Sequence, residues 1–457
     1  MQLTFYGGAK HVTGAHYLLE AGGLRLLIDC GLVQGSRFNE ELNYEPFPYG
    51  PPTADALFIT HSHADHMGRI PKLCKEGFSA PIYTSEPTAG LIEAALPDTL
   101  HRTTEDARDM NREPLFDEKD MEQAISLLKP LPYGKVVKLN DRVSVIGRDS
   151  AHILGSTAWE FTVQDDDGTT KRIAFPGDIG NPPSLLLKNI EFVEGVDYTL
   201  VESAYGSRHH EARSQRREML LGVVKETAAR GGVLMIPSFA IERTQELLLE
   251  IDALFEAGDL PKKMPVFVDS PLAIRITEAY GRYSRYFNER AIKILRDNRG
   301  LFQFPWLTFT PTVEESKRIN DVPAPKIIIA GSGMSQGGRI LHHERRYLSD
   351  PKSSILFVGY QVEGSLGRRI RDKATEVTMF GETIPIRCHV HSIGAYSAHA
   401  DQDGLIEYLT HANKGDSLKK CFVVQGERES ADALAARARE ELGIDAIVPD
   451  PGQSFTL

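Results

Sequence analysis

The segment THSHADHMG, residues 60–68, places three histidines and an aspartate within six residues, directly after the strand-like run ALFIT. His61 and His63 are two positions apart, so an extended backbone points both imidazoles to one face. Asp65 and His66 then fall in a turn and can face a second point a few Å away. Neutral imidazoles and carboxylates are the donors that Zn²⁺ takes, at about 2.0–2.2 Å. So much histidine in one turn at a strand end serves no packing purpose, and a metal site is the expectation.

Two further strand ends supply what one loop cannot. RDSAHILGS sets His152 between a strand and a Gly-Ser turn, and IAFPGDIG sets Asp178 at a strand tip beside a glycine. Singly each is weak, because a lone histidine is usually a satisfied polar residue and Asp-Gly neighbours usually make turns. With His61 and His63 they complete a four-ligand set, and Asp178 is able to bridge to a second ion held by Asp65 and His66. Asp29, ending LRLLIDCG, is placed to hydrogen-bond a ligand histidine from behind and fix its orientation. Two ions about 3.5–4 Å apart activate a bridging water and stabilise in-line displacement at phosphorus.

The elements that must position these residues follow from periodicity. LTFYG, HYLLE, LRLLIDCG and ALFITH read as strands, with Gly22-Gly23 a hairpin turn, and residues 86–128 read as mostly helical. KVVKLN, RVSVIG, AWEFTV and RIAFPGD return to the strand pattern, with DDDGT (165–169) turning between the last two, and YTLVES closes this half. From about 206 to 385 helices (211–230, 242–257, 271–286, near 337–348) alternate with GGVLMIPSFA, PVFVDS, KIIIAGSG and SSILFVGY, the signature of a parallel α/β sheet. After that come IRCHVHSI, a helix near 401–411, CFVVQG, a helix near 430–442 and AIVPD. There is no internal repeat and no low-complexity linker, which suggests an α/β block inserted into its host.

With 457 residues, 41% hydrophobic and 25% charged, the chain has the composition of a soluble globular protein able to form two or three domains. No apolar run approaches the ~18 residues of a membrane span. MQLTFYGG reads as a first strand and not a signal peptide. Cys30, Cys74, Cys388 and Cys421 are scattered without a CxxC pair, as in a cytosolic protein with reduced thiols. The net charge of −11 argues against a protein wrapped in a basic field, but phosphate contacts can be confined to a groove. RHHEARSQRR (208–217) and RILHHERR (339–346) fit that idea, and fit solvated helix faces equally well.

Asp29, HSHADH, His152 and Asp178 resemble motifs one to four of the metallo-β-lactamase superfamily, in order. VESAYGSRHH, IPSFAIERTQELL, FVDSPLA, IAGSGMSQGGRILHH, VGYQVEGSLGRRI and YSAHADQ look like its β-CASP branch, whose members cut RNA or DNA. The resemblance runs over nearly the whole chain. It implies an α/β fold, a metallo-β-lactamase αββα sandwich (1–205 and 388–457) interrupted by a β-CASP domain (206–387). The length resembles that of the shorter prokaryotic RNA-processing members. Glu202 matches motif A and His399 motif B, so the resemblance assigns catalysis to Asp65, Glu202 and His399. His399 would give a proton to the leaving 3′-oxygen while Glu202 orients it. Ser270, Ser332 and Ser397, at strand or helix ends, and Arg243 and Arg339 are candidate RNA phosphate contacts. The implied protein is a cytoplasmic, zinc-dependent endo- or exonuclease of single-stranded RNA threaded between two domains, with a homodimer common among such members.

One position departs from the family. Motif C of the RNA-cutting members is a histidine at a strand end, and CFVVQGERES presents Gln425 there, with no histidine after His411. A neutral amide is a poor zinc ligand. The expectation is therefore a first site (His61, His63, His152, Asp178) of normal strength and a weaker second site (Asp65, His66, Asp178 and Gln425) that accepts harder ions such as Mn²⁺. Ala204 and Glu242 also stand where the family more often has Thr and Gly. The competing functions are a catalytically weakened RNA-binding paralogue, a DNA nuclease and a metallo-hydrolase of small esters or thioesters. Retention of every other ligand and of the Glu202/His399 pair speaks against the first, and the long insertion against the last.

Overall fold

The structure, a computed structural model, describes residues 1–35, 37–166, 168–260, 264–297 and 302–457. Asp167 of the DDDGT turn lies outside them. The chain divides into two compact units, the first Met1–Pro182, Lys188–His209 and His399–Leu457, the second Pro183–Leu187 and His210–Ala398.

The first unit stacks two seven-stranded sheets. One runs in the order Ser454–Thr456, Gln2–Gly7, His16–Ala21, Leu24–Ile28, Ala56–Phe58, Ile82–Thr84, Leu128–Pro130. The other runs Ala446–Ile447, Lys420–Val424, Tyr198–Glu202, Thr170–Phe175, Thr157–Gln164, Val143–Asp149, Val137–Lys138. Phe5, Tyr17, Ile28 and Phe58 of the first sheet share a core with Phe161, Phe175, Leu200 and Phe422 of the second. Each such side chain is worth roughly 1.5–3 kcal/mol on leaving water.

The unbroken apolar runs of the second sheet are explained by burial on both faces. Leu200, Phe422 and Val424 enter the inter-sheet core, while Val201 and Val423 enter an outer core under the helices Gln402–Ala412 and Arg428–Leu442. Beside the first sheet, the helices Ile70–Lys75, Glu86–Asp109 and Glu118–Ser126 pack on one another and on Leu128–Pro130. These layers make the αββα sandwich.

The same sheets line up the chemistry. Thr170–Phe175, Tyr198–Glu202 and Lys420–Val424 are mutually parallel neighbours, with Glu202 opposite Val424. Leu24–Ile28 and Ala56–Phe58 are parallel in the other sheet, with Ile28 opposite Phe58. Their carboxyl ends therefore open on one edge, where α/β sheets bind ligands.

The second unit is built on a parallel six-stranded sheet in the order Leu307–Phe309, Val266–Asp269, Lys326–Ala330, Val233–Pro237, Ser354–Phe357, His389–Ser392. IRCHVHSI is its edge strand, so this unit continues to Ala398. The helices Glu289–Asp297, Val313–Arg318 and Leu366–Arg371 and the hairpin of Glu376–Met379 with Glu382–Pro385 add to the elements expected from the sequence. Among the described residues, no helix is long and apolar enough to cross a membrane. All four cysteines are buried and free of disulfides.

Candidate metal centre

Close backbone approaches assemble the centre, and glycines make them possible. A side chain on Gly31 would meet the Asp65 carbonyl oxygen at 1.5 Å. Its absence lets Cys30 N–H donate to the His66 carbonyl at 2.7 Å and Leu32 N–H to Ala64 at 2.8 Å, which fixes the one-turn helix Ala64–Met67. Gly177, at φ +61°, similarly leaves room for Thr60, so the turn carrying Asp178 packs on the strand end that carries His61. Asp29 holds φ +56° and donates its N–H to Phe58 at 2.9 Å.

The first ligand set converges as the sequence suggests. Ligand atoms of His61, His63, His152 and Asp178 all lie within 4.8 Å of one another. His61 Nε2 is 3.1 Å from His63 Nδ1, which is 3.2 Å from His152 Nε2. Asp178 Oδ2 is 3.4 Å from His61 Nε2 and 3.3 Å from His152 Nε2. A tetrahedral zinc with arms of about 2.0 Å has edges near 3.3 Å, so the donor set fits that ion. The protonation states fit as well. Burial first, then neighbouring imidazoles, holds His61 and His152 well below the usual histidine range. Burial works against the Asp178 anion, but the surrounding histidines outweigh it and keep the carboxyl well below its ordinary range.

Thr60 and Asp29 form a support behind this set that the sequence reading only half found. Asp29 Oδ1 accepts the Thr60 N–H at 2.7 Å, and Oδ2 accepts the Thr60 hydroxyl and His66 Nδ1–H, each at 2.8 Å. Thr60 Oγ1 is also 3.1 Å from His61 Nδ1, so one carboxylate orients histidines on both sides of the centre. The hydroxyl immediately before HSHADH was the available signal.

His399 is anchored beside the ligands. Its backbone bridges Gly180, its Nδ1 lies 2.9 Å from Glu202 Oε2, and its ring centroid is 4.5 Å from that of His152. Glu202 also accepts the Ile179 N–H at 2.9 Å. Burial disfavours the imidazolium, but Glu202 and then Asp178 outweigh it, and the His399 pKa is raised to about 9.

The second side is arranged differently. His66 Nε2 is 3.3 Å from Asp178 Oδ1 and 3.9 Å from Asp65 Oδ2. Burial opposes its charged form, while Asp178 and Asp29 outweigh that and push its pKa up. Gln425 directs its amide nitrogen, not its carbonyl, at these groups: Nε2 is 2.8 Å from His66 Nε2 and 3.1 Å from Asp178 Oδ1. Its Oε1 accepts from the Tyr17 hydroxyl at 3.4 Å, a partner that no motif or spacing points to. His411 is elsewhere, stacked on Phe192 at 4.0 Å.

The candidate phosphate contacts all fall in the second unit. Ser270 caps the helix Pro271–Arg282 by accepting the Ala273 N–H, and Ser332 Oγ accepts the Gln336 N–H at 2.9 Å. Ser397 is buried, its carbonyl facing Arg213. The guanidinium of Arg243 is buried against Glu246, and that of Arg339 donates to Asp269 and to the carbonyls of Thr310 and Pro311. Glu242 is buried at φ +67° and accepts the Tyr280 hydroxyl at 2.8 Å, so its charge does not face solvent.

Family models match three stretches: a metallo-beta-lactamase superfamily domain over 18–169, a Beta-Casp domain over 244–370 and a Zn-dependent metallo-hydrolase RNA specificity domain over 383–449. A ribonuclease of Thermus thermophilus is 37% identical over 434 residues, 95% of each chain. This chain belongs to the β-CASP branch of the metallo-β-lactamase superfamily. Other β-CASP relatives include an RNase J-like protein of Methanocaldococcus jannaschii, 31% identical over 98% of each chain, and the transcription termination factor FttA of Cenarchaeum symbiosum, 29% identical over 100% of this chain and 71% of that one. A crystal structure of a protein of unknown function from Enterococcus faecalis aligns over 100% of the chain with a TM-score of 0.53 at 12% identity, a likeness of fold. Membership of this branch makes the protein a metallo-hydrolase, and the four-ligand set is the place where its metal fits.

Proposed function

We propose that the protein is a metal-dependent ribonuclease hydrolysing phosphodiester bonds of single-stranded RNA. The observation that carries this reading is the His399–Glu202 pair standing directly beside the His61, His63, His152 and Asp178 set. Zinc held by those four residues would supply a Lewis acid for the phosphate and make water a nucleophile near neutral pH.

The remaining steps belong to the chain's own side chains. Glu202 holds Nδ1 of His399 and so directs the acidic proton to Nε2, for donation to the leaving 3′-oxygen. With its pKa near 9, His399 keeps that proton at neutral pH. Asp29, through Thr60, keeps the ligand imidazoles in register. Of the phosphate candidates, Ser270 and Ser332 are favoured over Arg243 and Arg339, whose guanidiniums are engaged within their own unit. Asp65 and His66 are the remaining candidate ligands, with Mn²⁺ the ion suited to such oxygen-rich donors, but the reading needs only the ion of the four-ligand set. A cytoplasmic location and a homodimer complete the reading.

The test is cleavage of end-labelled single-stranded RNA and DNA of one sequence by purified protein with Zn²⁺ or Mn²⁺. The product ladder separates endo- from exonucleolytic cutting, and light scattering gives the oligomeric state. RNA cleavage is expected; RNA left intact under both metals sinks the proposal, and preferential loss of DNA replaces it with a DNA nuclease.

A further inference from the structure

We infer that the Gln425 carboxamide stands in place of a second metal ion, so that the protein carries one ion, at His61, His63, His152 and Asp178, with Gln425 as a positioning residue for Asp178. The inference deepens the metal-hydrolase reading above and rests on it.

The decisive observation is which atoms the amide nitrogen touches. A second ion would need lone pairs from His66 Nε2 and Asp178 Oδ1, with arms of about 2.0–2.2 Å. Gln425 Nε2 already lies 2.8 Å from the first and 3.1 Å from the second. One of its protons suits the Asp178 oxygen, and its nitrogen lone pair is delocalised into the carbonyl and offers nothing to an ion. Should His66 instead be protonated at Nε2, that nitrogen has no lone pair to give, and the outcome is the same.

Nor does the amide swing aside freely. Gln425 is 4% exposed and sits at φ +49°, its N–H donating to the Gly8 carbonyl at 2.6 Å. Gly8 packs so closely that a side chain there would meet Gln425 Cγ at 3.2 Å and the Tyr17 hydroxyl at 2.6 Å. Tyr17 in turn donates to Gln425 Oε1. Turning the amide over would set its oxygen 3.1 Å from a carboxylate oxygen of Asp178. The contrast with the first set is direct: there ring nitrogens face one another, and here an amide nitrogen stands between a ring nitrogen and a carboxylate oxygen.

The consequence for Asp178 is that one oxygen is fixed by a hydrogen bond, leaving Oδ2 to the first ion. The experiment is the metal content of the full chain, by mass spectrometry after equilibration with excess Zn²⁺ and desalting. Wild type is expected to retain one equivalent and Gln425→His two. Two equivalents in wild type, or one in a Gln425→His protein that melts cooperatively, overturns the inference. Gln425→Ala supplies an independent check: one equivalent, lost to a chelator about tenfold faster because Asp178 has lost its donor, is expected, and an unchanged loss rate overturns the positioning role. The count does not depend on substrate. One zinc in a protein that leaves RNA intact overturns the ribonuclease reading alone, and two zincs in a protein that cuts RNA overturns this one alone.

Discussion

Each unit buries a cluster of histidine and aspartate, and the two clusters balance their protons in opposite ways. In the second unit Asp269 accepts from Arg339 Nη1 and the Thr310 hydroxyl on one oxygen, and from His343 Nε2 and the Ser316 hydroxyl on the other, at 2.7–2.8 Å. Every lone pair has a donor. In the first unit, His63 Nδ1 faces both His61 Nε2 and His152 Nε2, and one nitrogen carries at most one proton for the two of them. Asp178 Oδ2 faces the same two nitrogens, and a cation suits such a ring of ligand atoms. Residue types alone do not mark a metal site; the count of protons against lone pairs does.

The largest effect tests the deficient cluster. His63→Ala removes a ligand and is expected to abolish zinc retention and lower RNA cleavage by about 10³-fold or more. Metal content and a single-turnover assay check it together, and retained zinc would break the comparison. His399→Ala is next, with a loss of roughly 10²–10⁴-fold at unchanged zinc content. The acid must be protonated to act, and its pKa is raised to about 9, so activity is present below that pH and falls as pH rises through it. Glu202→Gln removes the main carboxylate that opposes burial, so the alkaline limb of the rate profile should move to lower pH. A limb that stays in place would separate His399 from the proton transfer.

The distinction was only partly legible in the sequence. HSHADH, His152 and Asp178 were readable because a strand period fixes where a side chain points, and parallel pairing then brings distant strand ends to one edge. Gln425 was located by the resemblance, as the residue at the motif C position after a strand. The direction of its amide was not legible, since that depends on the Tyr17 hydroxyl and on the missing side chain of Gly8, both far away in the sequence. The partners of Arg243 and Arg339 were equally illegible: helical position shows neither Glu246 nor Asp269. IRCHVHSI was seen as a strand, but pattern does not say which sheet a strand joins, and it closes the edge of the second unit's sheet.

Asp269 provides the next test because its cluster is complete. Asp269→Ala strands His343 and Arg339 without their buried partner and is expected to destabilise the protein by about 3–5 kcal/mol, read by urea unfolding. Zinc content should not change. Loss of zinc at unchanged stability would show that this cluster also serves an ion, and the contrast between the two clusters would fail.

Glu344 supplies the smallest effect and a third way of settling a shortage of donors. It is fully buried, one oxygen accepts the Ser335 hydroxyl, and among the described residues the other has no partner. No lone-pair cluster surrounds it to call in an ion. The Cys388 thiol nearby is itself held neutral, pushed by burial up to about 12. Glu344 therefore keeps a proton: burial raises its pKa from 4.5 to about 8, with the Ser335 bond pulling slightly the other way. The sign follows from which state binds the proton more tightly. Below the ordinary value both folded and unfolded chains are protonated, and Glu344 costs nothing. Between 4.5 and about 8 the unfolded chain releases the proton and the folded one does not, so stability falls as pH rises and levels off above 8. Glu344→Gln substitutes a permanently neutral group of the same shape. The variant should nearly match wild type near pH 5 and exceed it by on the order of 4 kcal/mol at pH 8, in paired thermal melts. A gap that is constant with pH would mean that Glu344 is ionised in place, and that some donor completes it as His343 and Arg339 complete Asp269.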